Sequence, residues 1–325
     1  MIQTENLSKR FNDFLAVDRV SLQVSSGEVL ALLGPNGAGK TTTLRMLTSV
    51  LRPSLGSARV AGYDVVRQAA QVRASVGILT EQHGLYGRMT AVEYLDFFGQ
   101  IYHMPSDLRR KRTNELLAQF GLGDERKRRI AEYSKGMRQK LALARALYHD
   151  PPVLLMDEPT SAMDPESARL VRDAIQGLRR TKRAIIICTH NLPEAEELAD
   201  KIAIIRRGRI IISGSVDELK NRLLGSPQYE IHLGVNLNGL HFQLPQAAQQ
   251  TGQGEDWIRY QVNDPLRVNP QVVQSLVSQN LPVVGLYEVP RSLEKVYLQA
   301  INHDGNDGLL ENDHTAAEVE VGHAG

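Results

Sequence analysis

The chain of 325 residues contains a single cysteine, Cys188. An internal disulfide is therefore impossible, and a reducing compartment is the expected home. Charge of either sign is not in excess, with 38 Lys+Arg against 37 Asp+Glu, so no global field recruits nucleic acid or an anionic membrane. The nine histidines are scattered, and no Cys/His spacing suggests a zinc site. The opening MIQTENLSKRF lacks the apolar core of a signal peptide. Nowhere is there an apolar run of about 18 residues, the length needed to span a bilayer. The expectation is a protein soluble by itself, with no direct bilayer insertion, whose membrane role comes through a partner.

What is present falls into two textures, and the length is comfortable for two domains. Up to about Lys220, short apolar runs alternate with longer helical stretches, the rhythm of an α/β fold. Strands are expected at 28–34, 76–80, 153–157, 184–189 and 201–205, most of them continuously apolar as buried parallel strands are. A hairpin turn is expected at Arg207-Gly208, leading into a closing strand. Residues 91–148 read as a charged helical insertion.

After LLGSPQ the pattern changes. Tyr229, Ile231, Leu233, Val235 and Leu237 alternate with polar residues, as in a half-buried strand. Further strands are expected at 257–262 and 283–289, a helix at 292–301, and a helix opened by Asn269-Pro270 and running through Ser278. The expected division is 1–225, a small α+β domain at 226–301 and an acidic, disordered tail at 302–325. No internal repeat is evident.

Three motifs carry chemistry. In LALLGPNGAGKTTTL, Gly34, Pro35, Asn36, Gly37, Ala38, Gly39, Lys40, Thr41 and Thr42 form a G-x-x-x-x-G-K-[ST] loop between an apolar strand and a helix. Such a loop wraps nucleotide phosphates with its N–H groups. Lys40 adds charge at the β- and γ-phosphates, and the Thr41 hydroxyl can ligate Mg²⁺. In PVLLMDEPTSAMD, Asp157 and Glu158 end a buried strand, at the edge where open α/β sheets bind ligands. One carboxylate suits a water-mediated Mg²⁺ contact; the other can orient or deprotonate water. His190 ends another apolar run and can reach the same edge, although a structural role accounts for a lone histidine equally well. Cys188 reads as a small buried apolar residue. In EYSKGMRQKLALARAL, Ser134 and Gly136 precede a helix. A cap alone explains Ser134, but a Ser-x-Gly entry also lets N–H groups close on an anion.

Taken in order, GPNGAGKTT, YSKGMRQ, LLMDEPTSAMD and CTHNLPEAEELAD resemble the ATP-binding cassette of ABC transporters over about 1–220. The resemblance implies a P-loop NTPase core of ABC type, with a helical insertion and an antiparallel β edge, that hydrolyses ATP with Mg²⁺. It also implies a cassette dimer closed head to tail around ATP, expected to be a homodimer. An integral membrane permease would hold the protein at the cytoplasmic face of the membrane.

By this analogy Phe11 stacks on adenine, with Phe14 as the alternative and the core as a third home for either. His190 contacts the γ-phosphate. Ser134 and Gly136 meet the ATP held by the other cassette's Lys40. A coupling glutamine that also contacts Mg²⁺ falls at Glu81, with Gln82 next to it; alignment on LYGRMT favours Glu81. Lys135 and Met137-Arg138 depart from the usual signature LSGGQ. That variant, with the C-terminal SLEKVYLQA, resembles bacterial exporters of the daunorubicin-resistance and sodium-export type and their lipid-exporting relatives.

Two rivals follow. A soluble ABC ATPase acting on nucleic acid or ribosomes would use the basic clusters at 109–112 and 126–129. Yet there is one cassette, no long coiled-coil insertion and no basic tail, and charge runs on helices are usually solvated faces. A non-hydrolysing cassette is opposed by intact Lys40, Asp157, Glu158 and His190. No partner contact with nucleic acid is expected.

Overall fold

The computed structural model describes residues 1–80, 84–161, 163–179 and 181–305. The chain divides into two compact units, one of Met1–Ser213 together with the chain from Ala300, the other Gly214–Gln299.

The first unit is organised by a six-stranded sheet in the order Arg209–Ser215, Lys201–Arg206, Val29–Leu33, Ala184–Thr189, Val153–Asp157, Val76–Leu79. From Lys201–Arg206 to Val76–Leu79 the neighbours run parallel. Three strands are buried at every position, and their alternation explains why. Leu154, Met156, Ile185 and Ile187 point into a core with Leu141, Leu143 and Tyr94 of the helical region. Leu155, Ile186 and Cys188 point into a second core with Leu44, Leu47, Val17 and Val60. At the hairpin, Arg207 (φ 48°) and Gly208 (φ 81°) are both left-handed, as a two-residue turn between twisted strands requires.

An antiparallel sheet completes this unit, ordered Phe14–Val20, Ile2–Phe11, Leu55–Val60, Tyr63–Asp64, with Gln23–Val24 also on Ile2–Phe11. The helical region anticipated at 91–148 consists of Ala91–Ile101, Ser106–Gln119 and Lys135–Ala146. Thr90 and Glu93 close a capping box at its first helix, satisfying backbone N–H groups that a helix start leaves open.

In the second unit four antiparallel strands are ordered Gln249–Gln253, Trp257–Gln261, Gln228–Leu233, Val283–Glu288. The helix Pro265–Ser278 packs on one face through Val268, Val272 and Leu276 against Ile231, Ile258 and Tyr260. Several boundaries differ from expectation. The division falls at 213/214 rather than 225/226. LLGSPQ marks the end of the helix Val216–Leu224, with Gly225 as its positive-φ stop at 72°. The first strand ends at Leu233 rather than Leu237. The helix expected from Asn269-Pro270 begins instead at Pro265, because Asp264 caps the Arg267 N–H and Pro265 takes the first-turn position. The last helix, Leu293–Gly305, continues past Asn302. The remainder of the anticipated tail lies outside the described residues.

Candidate functional site

The phosphate loop leaves the strand Val29–Leu33 and enters the helix Lys40–Leu47. Two of its glycines are forced by space. A β-carbon on Gly34 would sit 2.3 Å from the Ile205 carbonyl oxygen, and Gly39 has φ 109° with the Ala16 carbonyl oxygen 2.7 Å from its would-be β-carbon. No acidic residue occupies the first turn of this helix, so its positive end stays available to an anion. Lys40 is buried, and its Nζ donates to the carbonyls of Gly34 at 2.5 Å and Pro35 at 3.2 Å. A lysine held beneath a loop in this way is placed to exchange those acceptors for phosphate oxygens.

The carboxyl end of the parallel sheet gathers the other groups. The Thr41 hydroxyl donates to Asp157 Oδ2 at 2.7 Å, joining the phosphate loop to the end of the strand Val153–Asp157. Glu158 follows in a left-handed backbone conformation, φ 52°, with its N–H donated to the Cys188 carbonyl at 2.8 Å. Its Oε1 lies 2.7 Å from His190 Nδ1. An ionised carboxylate only accepts, so a hydrogen bond here needs the imidazole tautomer protonated at Nδ1. The His190 side chain is 63% exposed and that of Glu158 12% exposed, so the imidazole is the solvent-facing partner of the pair. Asp157, Glu158 and His190, selected from sequence, do converge.

Other side chains around Glu158 were not singled out as site residues from sequence. The Thr189 hydroxyl donates to Glu194 Oε2 at 2.9 Å and lies 3.4 Å from Glu158 Oε2. Thr160 donates to Glu194 Oε1 at 2.6 Å. Burial pushes the Glu194 carboxyl above the usual glutamate range, against the lowering effect of the two hydroxyls. Gln139, on the helix Lys135–Ala146, donates to the Pro159 carbonyl at 2.7 Å and reaches the Glu158 carbonyl at 3.4 Å. All four residues lie inside the stretches that carry the resemblance, YSKGMRQ, LLMDEPTSAMD and CTHNLPEAEELAD, which was the available hint; nothing local in those stretches pairs their side chains.

Ser134 caps its helix through the Met137 N–H at 3.2 Å. A β-carbon on Gly136 would lie 3.7 Å from Asp164 Oδ2, so this helix start faces the turn that follows Glu158. Phe11 and Phe14 are cross-strand partners at a hairpin end and are 44% and 64% exposed. Neither is a core residue, and both rings can take a flat ligand face. Cys188 is fully buried, and burial pushes its thiol well above the ordinary range. Glu81 and Gln82 lie outside the described residues.

The chain was compared with known families, relatives and structures. Residues 17–161 match the family model described as ABC transporter. The ABC transporter ATP-binding protein NatA of Bacillus subtilis is 43% identical over 224 residues, covering 67% of this chain and 91% of that protein. The daunorubicin resistance ATP-binding protein DrrA2 of Streptomyces coeruleorubidus is 33% identical over 307 residues, covering 93% of this chain and 95% of that one. Among solved structures, an ATP-binding subunit of an ABC transporter superposes with a TM-score of 0.65 at 27% identity, over 69% of this chain and 94% of its own. The cassette MJ0796, solved as a dimer in a post-hydrolysis state with ADP and Pi, has the same fold, with a TM-score of 0.62 at 23% identity over 66% of this chain and 99% of its own. With a relative matched over nearly its whole length, and a phosphate loop, paired carboxylates and histidine meeting at one sheet edge, the chain belongs to the ATP-hydrolysing ATP-binding subunits of ABC transporters.

Proposed function

We propose that this subunit works as a head-to-tail dimer with ATP between the two copies, and that closure of the dimer drives export through a separate membrane permease. The reading rests on one observation above all: the two phosphate-binding devices assigned here, the Lys40 loop and the helix start at Ser134, are joined by no described hydrogen bond. The Lys40 loop bonds to Asp157 and to its own carbonyls. The Ser134 cap bonds within its own helix. Two copies arranged head to tail bring one device of each to the same nucleotide, and MJ0796 is a cassette of this fold solved as a dimer.

Mg²⁺ fits the residues present. Among the described residues no group of three or more His, Cys, Asp or Glu could hold a metal alone. A hydroxyl and a carboxylate 2.7 Å apart, Thr41 and Asp157, suit an ion that keeps its waters and arrives with substrate phosphates. When bound, it neutralises phosphate charge and orients the oxygens. Glu158 then positions or deprotonates the attacking water, and His190, released from Glu158, turns its imidazole to the terminal phosphate. Phe11 offers the adenine a flat apolar face. Glu81 is assigned the coupling role.

Export, rather than uptake, is supported by the relative named for daunorubicin resistance. No described helix is long and apolar enough to cross a membrane; the proposed permease is another chain, holding this one at the cytoplasmic face.

Sedimentation of Glu158→Gln protein tests the dimer. It should be monomeric without ATP and dimeric with it, and Ser134→Arg in the same background should abolish the change by blocking the helix start. Sedimentation that ignores ATP in both proteins would contradict a shared site.

A further inference from the structure

We infer that Gln139 and Glu194 are positioning residues for the reaction, clamping from two helices the turn that aims Glu158; this rests on the assignment of Glu158 above. Gln139 is 2% exposed and Glu194 3% exposed. Burying a primary amide or a carboxylate is unfavourable unless its hydrogen bonds are met, so the partners of these two show what their burial secures. Gln139 Nε2 donates to the Pro159 carbonyl and approaches the Glu158 carbonyl, at 2.7 and 3.4 Å. It therefore fixes the two peptide units on the C-terminal side of Glu158.

Glu194 works from the opposite side of that turn. Its two carboxylate oxygens accept from Thr160 at 2.6 Å and Thr189 at 2.9 Å, the first lying just after Glu158 in sequence and the second just before His190. The Thr189 hydroxyl has one proton, and the shorter distance assigns it to Glu194 rather than to Glu158 at 3.4 Å. Thr189 also accepts the Asn191 N–H at 3.0 Å, and Asn191 caps the Glu194 N–H at 3.1 Å. The Glu158 turn, the His190 loop and the helix Leu192–Leu198 thus share one buried hydrogen-bonded unit.

A clamp is needed because the turn is not one the backbone chooses freely. Glu158 is left-handed at φ 52°, a conformation that an L-residue holds only where its surroundings enforce it. Rotating the 158–159 peptide redirects the Cα–Cβ bond and with it the carboxylate. A misplacement of about 1 Å at a reacting group can cost up to about 100-fold in rate. One jaw of the clamp belongs to the helix headed by Ser134. The same helix that is proposed to touch the partner's nucleotide therefore also fixes the carboxylate serving this chain's own.

The test is single-turnover ATP hydrolysis by the full chain, with Gln139→Leu, Glu194→Gln, Thr189→Val and Thr189→Ser made alone and combined with Glu158→Gln. In the wild-type background Gln139→Leu, Glu194→Gln and Thr189→Val should each slow hydrolysis about 10- to 100-fold with ATP affinity held. Thr189→Ser, which keeps the hydroxyl, should stay near wild type. In the Glu158→Gln background none should lower the residual rate further, because residues acting through Glu158 have nothing left to position. Thr189→Val keeps threonine's bulk and Thr189→Ser its hydroxyl, so this pair keeps the test decisive if Gln139→Leu fails to fold. Unchanged hydrolysis in all three variants, or losses that multiply with that of Glu158→Gln, would overturn the inference. Normal hydrolysis by Glu158→Gln itself would overturn the assignment beneath it.

Discussion

Charged side chains in the six-stranded sheet of the first unit stand only at strand ends. Asp157 closes Val153–Asp157, and Lys201 and Arg206 bracket their own strand. In the four-stranded sheet of the second unit they run along the strands. Glu230 accepts from Arg259 at 3.1 and 2.6 Å and lies 2.9 Å from His232 Nε2. The Arg259 guanidinium lies 5.0 Å from the Trp257 ring centroid. The first sheet buries both faces in separate cores, so a carboxylate is tolerated only at the edge, where a ligand can meet it. The second buries one face, so its charges pair across strands on the other and serve the sheet itself. On the proposed roles, the same side-chain chemistry is reactive in one unit and structural in the other.

That contrast can be broken at three points. Glu158→Gln should lower ATP turnover by about two to four orders of magnitude, the size of a general-base contribution, without moving the fluorescence melt of Trp257. Since Trp257 is the chain's single tryptophan and lies in the second unit, the two readouts separate the units. Turnover within a few-fold of wild type would end the distinction between the two carboxylates.

Gly254→Ala should act in reverse. Its β-carbon would fall 2.1 Å from Trp257 Nε1, so the indole must move, at about 1–3 kcal/mol as for other overpacked sites. The Trp257 melt should shift downward while ATP affinity, followed by nucleotide titration, stays. Loss of ATP binding would show that the units do not answer separately.

The smallest effect is expected at Glu230. Hydrogen bonds from Arg259 chiefly, then from His232, hold its carboxyl below the usual glutamate range. A folded-state pKa that is depressed gives stability fully present above the ordinary glutamate value and lost as pH falls through the folded one. Glu230→Gln should therefore cost less than about 1 kcal/mol at neutral pH, and the gap to wild type should close below roughly pH 4. A gap that widens in acid, in urea melts across that range, would reverse the sign assigned to this pair.

The two units also differ in how openly the sequence announces them. Val153–Asp157 and Ala184–Thr189 begin and end where their apolar runs do, since strands buried on both faces are marked by composition alone. The antiparallel strand Ile2–Phe11 is hidden because irregular pairing over 7–10 and the left-handed Asn6 (φ 47°) break its alternation. Gln249–Gln253, QQTGQ, offers no apolar residue at all. Pro270 misled for a physical reason: proline favours a helix's first turn, yet here it stands inside the helix from Pro265 and forgoes one intrahelical hydrogen bond. At the site, the phosphate loop, Asp157, Glu158 and His190 were legible because their chemistry is local in sequence. Thr160 and Thr189 met Glu194, and Gln139 met Pro159, only through folding.

The left-handed backbone at Glu158 sets heat tolerance and turnover against each other at one codon. A β-carbon in that conformation costs on the order of 1 kcal/mol, which glycine would return. Glycine at 158 is therefore a change that a search for sturdier variants would favour, and it would remove the carboxylate proposed to serve hydrolysis. On that proposal, a screen scored by heat tolerance alone would drift toward glycine at φ 52°, and one scored also by turnover would keep glutamate.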